Sequence, residues 1–388
     1  MQIAQLKEKF VEIFGEGEAR VFIGPARVNL IGEHIDYNGG NVFPCAISLR
    51  SACVARKRDD KIIRLASTSY PHIVTAEIDK LEEYKNLEWG NYQLGVAYCL
   101  MQDGHEICGM DMLFDETVPH ASGLSSSAAI EMAMGMATAA LSGFEVDGVR
   151  MAQIGQMAEN NYVGMNCGIM DQFASRMGKK GSAILLNCGT LEYEYAPFNL
   201  EEKGLRLIIM NTKKPRSLIT SAYNTRRAEC EEALRELQEG CDCEFICDLT
   251  PEMFEELARL ITKPTNVKRA LHCVMENQRT KDAIAALNAG DIEAFGSLMV
   301  ESHVSLRDLY EVSGIELDTM VEAALKQEGV LGARMTGAGF GGCALAIVKE
   351  ECVDKFIENV GKEYNEKIGY VAEFYIAEIA DGAGELVD

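Results

Sequence analysis

Four short stretches of this 388-residue chain concentrate residues that can do chemistry. In Gly123-Leu124-Ser125-Ser126-Ser127-Ala128-Ala129, small residues and hydroxyls stand where a loop opens an Ala/Met-rich helix. Backbone N–H groups at the positive end of a helix dipole, flanked by hydroxyls, make a cradle for phosphate. Small residues let the backbone approach the phosphate oxygens. A plain cluster of capping serines is the alternative. The chain contains no GxxxxGK[ST] run, so it is not a P-loop protein, and no GxSxG run, so no nucleophile elbow is indicated.

The stretch Arg27-Val28-Asn29-Leu30-Ile31-Gly32-Glu33-His34-Ile35-Asp36-Tyr37-Asn38-Gly39-Gly40 gathers Arg, Glu, His, Asp, Tyr and Asn before an Asn-Gly-Gly turn. Carboxylates and amides aimed into a pocket recognise sugar hydroxyls, because each hydroxyl both donates and accepts. A solvated loop is the bland reading. In Cys167-Gly168-Ile169-Met170-Asp171-Gln172-Phe173, Asp171 stands at a helix start, as a cap or as a base. Gly337-Ala338-Gly339-Phe340-Gly341-Gly342 resembles a dinucleotide fingerprint only in composition. A strand-like run, CALAIV, follows it where a Rossmann helix should begin, so it reads as a loop packed on another site, or as a turn.

The elements that must position these stretches are mixed. An amphipathic helix opens the chain, with Ile3, Leu6, Phe10 and Ile13 on one stripe. Strand-like runs follow near residues 20, 52, 62 and 73, then a helix over 90–103 and a strand alternating Met110, Met112 and Phe114. Helices over 149–163 and 168–177 precede a hairpin turning at Cys188-Gly189. From Leu205 the chain is richly helical, over 217–239, 251–261, 266–289, 291–310 and 316–327. It ends in a loop, a strand, a helix over 351–366 and a strand. Helices packed on one face of a sheet suit this α+β order. The region 241–265 carries no motif.

Length allows two domains. A net charge of −23, from 37 basic and 60 acidic side chains, repels phosphate backbones and anionic membranes, so neither nucleic acid nor a membrane is an expected partner. No signal peptide is read at the N-terminus and no run of about 18 apolar residues occurs, which suggests a reducing compartment with free thiols. Cys230, Cys241, Cys243 and Cys247 cluster without the paired CxxC spacing of a zinc site.

Together the four stretches resemble the GHMP kinase superfamily and, within it, the galactokinase family. RVNLIGEHIDYNGG is similar to that family's sugar signature, GLSSSAA to its phosphate motif, CGIMDQF to its catalytic-Asp segment and MTGAGFGGC to its third motif. NYQLGV after Trp89, and Arg216-Ser217-Leu218 through Tyr223-Asn224 to Arg226-Arg227, are also family-like. Ile35 departs from the pattern, where Thr is common. The resemblance implies two α+β domains, 1–195 resembling a ribosomal-protein fold and 196–388 ferredoxin-like, with the active site in the cleft between them.

The resemblance also implies roles. Asp171 would face the anomeric hydroxyl as base or orienting group, with Arg27 between it and the transferring phosphoryl. Glu33, His34, Asp36, Gly168 and Tyr223 would complete the sugar contacts, and Asp36 would read O3 and the axial O4. Gly123, Leu124, Ser125, Ser126 and Ser127 would cradle ATP, Trp89 would meet adenine or serve the core, and Ser127 with Glu159 would hold Mg²⁺. The expected protein is a cytoplasmic, monomeric kinase for galactose. A kinase for N-acetylgalactosamine, arabinose or a uronic acid, a non-catalytic sensor of galactose and ATP, and a dinucleotide oxidoreductase are the rivals.

Overall fold

The computed structural model describes residues 1–85, 88–119, 122–214 and 219–387. Helix α1 (Ile3–Phe14) buries Leu6 and Phe10 of its apolar stripe against Val21, Val54 and Leu113 of a sheet. The strands of the first half are β1 (Arg20–Asn29), β2 (Asn41–Val42), β3 (Pro44–Arg58), β4 (Ile62–Ser67), β5 (Val74–Glu77) and β6 (Gly109–Glu116). Of these, β1, β3, β6, β4 and β5 lie side by side in that order.

The alternation in these runs suggested a half-exposed sheet, yet β6 is buried on both faces. Met110, Met112 and Phe114 join the core under the helices. On the other face, Asp111 accepts from Arg56 (2.9 Å), Arg58 (2.9 Å) and Arg64 (2.6 Å), and Leu113 lies under α1. An aspartate surrounded by guanidinium groups tolerates burial where an isolated one does not.

Helices α2 (Asn91–Gln102), α3 (Ser126–Ser142), α4 (Gly148–Met157) and α5 (Met170–Met177) cover the other face. The helix expected over 149–163 divides: α4 ends at Met157 and a π-helical turn, Ala158–Val163, continues it. Such turns recur where a side chain must be re-aimed at a functional site. This one carries Glu159. The expected hairpin is β7 (Ser182–Asn187) and β8 (Tyr193–Pro197), with Leu186 opposite Tyr193; β2 extends it to three strands.

The second half contains β9 (Leu205–Asn211), α6 (Ile219–Leu237), α7 (Pro251–Leu257), α8 (Pro264–Asn288), α9 (Ile292–Ser305), α10 (Ile315–Leu325), β10 (Val330–Thr336), β11 (Cys343–Lys349), α11 (Val353–Ile368) and β12 (Glu373–Ala377). The antiparallel order β10-β11-β9-β12, with helices between β9 and β10 and between β11 and β12, is the ferredoxin-like β-α-β-β-α-β arrangement. The sequence reading had not marked β10, which delivers the third glycine loop. The chain finally returns to the first sheet, where β13 (Gly384–Glu385) pairs with β1. One core cluster joins Val28 and Phe43 of the first half to Ile209, Phe295 and Leu345 of the second, so the halves are packed together around the cleft.

Candidate active site

Strand β1 ends by directing Arg27 inward. The residue is buried, at 3% exposure. Its Nε donates to Asp171 Oδ1 at 2.8 Å and its Nη2 to Asp171 Oδ2 at 2.9 Å. Nη1 donates to the Gly123 carbonyl at 2.8 Å. A guanidinium fork meeting a carboxylate edge-on fixes both planes. Asp171 stands in the first turn of α5, and its side chain faces the cavity rather than capping the helix.

The Gly123–Ser127 turn arrives at the same carboxylate. Ser125 holds a left-handed backbone (φ 62°) and makes no side-chain cap to α3; its hydroxyl donates to Asp171 Oδ2. A serine with positive φ costs backbone energy that the surrounding structure must offset, and such residues gather at functional sites. The first turn of the 17-residue α3 therefore opens toward the cavity. Gly337 closes the other side: a Cβ there would lie 2.7 Å from the Gly123 carbonyl oxygen, so the third glycine loop packs on the phosphate turn as expected.

These groups line one cavity of about 500 Å³. Arg27, Glu33, His34, Asp36, Gly123, Ser125, Ser126, Ser127, Glu159, Gly168, Asp171 and Tyr223 all border it, although they come from distant parts of the chain. Leu124 does not; it is core, and its carbonyl accepts the Arg27 N–H at 3.2 Å. Trp89 is also outside the lining. Its indole stacks on Tyr70, with centroids 5.6 Å apart and planes 2° from parallel. Arg216, Ser217 and Leu218 fall outside the described residues, whereas Arg227 donates to the Asn166 carbonyl at 2.8 Å and Arg226 to that of Tyr310 at 2.7 Å.

Gly168 lies directly over Asp36: a Cβ at 168 would sit 1.9 Å from Asp36 Oδ2. Burial, with Asp171 and Glu33 nearby, pushes the Asp36 carboxyl up to about 7. Burial also raises Glu33, against the pull of Arg334 and Arg27. Arg334, from β10, donates to Glu33 Oε2 at 3.1 Å, and both side chains are enclosed. Nothing before the glycine loop had marked this arginine.

His34 borders the same cavity, with both ring nitrogens engaged within the protein. Its Nε2 lies 3.2 Å from the Ala338 carbonyl, which can only accept, so Nε2 carries the proton. Its Nδ1 then accepts from Tyr37 Oη at 2.8 Å, and Tyr37 Oη lies 2.8 Å from Tyr310 Oη. Burial holds the ring neutral, with a pKa lowered to about 3. With both nitrogens engaged, His34 reaches the cavity as a wall and ties the sugar turn to the glycine loop. Tyr223 packs beside it at 5.7 Å.

A second acidic group lies beside the Gly123–Ser127 turn. Glu159 is buried and takes a hydrogen bond from Ser127; burial and Asp171 raise its carboxyl to about 7. Gln172 Nε2 donates to Glu159 Oε2 (2.8 Å) and to Glu131 Oε2 (2.9 Å). Among the described residues, Glu131 Oε1 is buried without a hydrogen-bond partner. Glu131 was overlooked in sequence, although a lone acid inside an Ala/Met-rich helix was its signal. Among the described residues no group of three or more His, Cys, Asp or Glu is arranged to hold a metal ion.

Comparison with known proteins points to one family. Residues 8–57 match the model of the galactokinase galactose-binding signature, 91–179 the GHMP kinases N-terminal domain and 283–366 the GHMP kinases C-terminal domain. The chain is 51% identical over 380 residues to a galactokinase of Ligilactobacillus salivarius, covering 97% of this chain and 98% of that one. It is 49% identical to a galactokinase of Clostridium acetobutylicum, covering 99% of each. The crystal structure of Lactococcus lactis galactokinase complexed with galactose superposes with a TM-score of 0.97 at 45% identity, covering 99% of this chain and 100% of that one. A mevalonate kinase, at 19% identity and a TM-score of 0.67, shares the fold. The chain belongs to the galactokinase family of the GHMP kinases and has their two-domain fold.

Proposed function

We propose that this protein transfers the γ-phosphoryl of ATP to the anomeric hydroxyl of galactose, giving galactose 1-phosphate and ADP. The observation that carries the reading is the Arg27–Asp171 pair standing against the Ser125–Ser127 turn in one cavity. The identity to galactokinases along the whole chain supports the choice of sugar.

Asp171 orients the sugar hydroxyl and takes its proton as phosphoryl transfer proceeds. A loose transition state needs little prior deprotonation of the hydroxyl. Arg27 holds the Asp171 carboxylate in place through two hydrogen bonds and offsets charge growing on the equatorial phosphoryl oxygens. Ser125, Ser126 and the N–H groups opening α3 hold the phosphates. Asp36, Glu33 and the Gly168 backbone face the sugar hydroxyls, with Tyr223 and His34 as walls. Buried polar groups left unpaired by an inverted hydroxyl make glucose a poor substrate. We place adenine on the side of the Trp89–Tyr70 stack.

The donor set fits a magnesium ion. Ser127 and Glu159 would be its oxygen ligands, and Glu159, buried beside Asp171 with its carboxyl raised to about 7, is a group whose charge a dication would offset. Bound there, the ion would neutralise triphosphate charge. A monomeric, cytoplasmic enzyme is the accompanying reading from family resemblance, with the halves divided near residue 195.

The test is ADP release with ATP, Mg²⁺ and a panel of galactose, N-acetylgalactosamine, arabinose, galacturonate and glucose. Turnover dependent on galactose supports the reading. Turnover only with another sugar, or binding of galactose and ATP without turnover, refutes it.

A further inference from the structure

The sugar-side turn is clamped from the other half of the molecule. Helix α8 presents two buried side chains, His272 and Glu276, one helical turn apart, to the backbone of Gly32 and Glu33. Glu276 Oε1 accepts from the Gly32 N–H at 3.0 Å, the Glu33 N–H at 3.2 Å and the Ser302 hydroxyl at 2.5 Å. Its other oxygen meets Arg279. Two successive N–H groups converging on an anion form a nest. The nest needs a left-handed residue, and Gly32 has φ +91°; a Cβ there would lie 2.6 Å from the Asn41 carbonyl oxygen. On the other side of the same residue, His272 Nε2 donates to the Glu33 carbonyl at 3.1 Å. Glu33 is thus held at its N–H, at its C=O and, through Arg334, at its carboxylate.

We propose that Glu276 is a positioning residue: through the Gly32–Glu33 nest it sets where the Glu33 carboxylate stands in the sugar cavity, and so sets sugar affinity. This rests on the reading of Glu33 as a sugar-side residue. The nest does not touch the phosphate turn, so its loss acts on the sugar and spares ATP. An error of about 1 Å in placing such a group can cost two orders of magnitude.

The experiment uses Glu276→Leu and the pair Glu276→Gln with Arg279→Met. Leucine removes the acceptor. Glutamine alone keeps a carbonyl for the nest but turns its NH₂ toward the Arg279 guanidinium, donor against donor; removing that cation relieves the conflict. Glu276→Leu is expected to raise KM for the sugar roughly tenfold or more, the loss of a charged hydrogen bond. Its kcat and KM for ATP stay within about twofold. The double variant is expected to restore the sugar KM. If the leucine variant does not fold, Glu276→Asp, one methylene short of the nest, is read for the same split. An unchanged sugar KM, a parallel rise in both KM values, or no restoration in the double variant overturns the proposal. If the wild-type protein phosphorylates a different sugar, the functional reading fails while the same ratios are measured on that sugar.

Discussion

Arg27 and Asp171, 144 residues apart, meet as a two-pronged ion pair with arms of 2.8 and 2.9 Å. The Asp171 side chain is 28% exposed and borders the cavity, whereas that of Arg27 is 4% exposed. One partner is therefore free to meet a substrate while the other holds it in place. Asp171→Asn keeps the volume and loses the charge. Turnover should fall by about 10²–10⁴-fold, the range for a positioned acid–base group, with circular dichroism unchanged. Arg27→Lys should also cripple kcat, because an ammonium cannot span both oxygens and the Gly123 carbonyl. Wild-type ADP release from the purified Asn variant would remove Asp171 from the reaction.

Asp36 gives a pH-dependent signature. Its folded-state pKa of about 7 lies above the ordinary value of 3.8, chiefly through burial. In the unfolded chain the group ionises first, so the folded state holds the extra proton between those values. Its contribution to stability therefore falls as pH rises through that window. Asp36→Asn removes the titration. With no sugar present, the variant should gain in Tm relative to wild type as pH is raised from 4 to 7. Parallel Tm curves over that range would contradict the assignment.

The parts legible in sequence were those whose chemistry is local. The Gly123–Ser127 turn stands out through consecutive serines before a helix-forming run, and the Arg27–Gly40 stretch through its density of polar residues. What was not legible depends on distant packing. Arg334 sits in an ordinary strand, and only the fold brings it to Glu33. His34 has a sugar-binding composition around it, but the Ala338 carbonyl and Tyr37 occupy its nitrogens. The region 241–265 shows no motif because its task is contact: Phe245 packs on Gly39, where a Cβ would lie 2.3 Å from the ring.

Glu33 and Arg334 form an enclosed pair, 2% and 0% exposed. Breaking such a pair leaves a buried charge uncompensated, which typically costs about 3–5 kcal/mol. Arg334→Met should destabilise by that order in urea unfolding. Adding Glu33→Gln should recover much of the loss, because the residual carboxylate is gone, while sugar phosphorylation stays impaired. Additive losses in the double variant would show that the two side chains are not coupled.

The Ser127–Glu159 pair predicts where magnesium acts. Glu159→Gln preserves the Gln172 contact in shape but removes the anionic oxygen, and a cation of this hardness favours charged oxygen ligands. The magnesium concentration for half-maximal activity should rise, while KM for galactose, measured at saturating Mg²⁺, stays near wild type. Ser127→Ala should act in the same direction more weakly, because a hydroxyl is a neutral ligand. The discriminating measurement is Mg²⁺ titration of ADP release at fixed ATP and galactose. Coincident titration curves for wild type and Glu159→Gln would place the ion elsewhere, and would leave the raised Glu159 carboxyl a consequence of burial and the nearby Asp171.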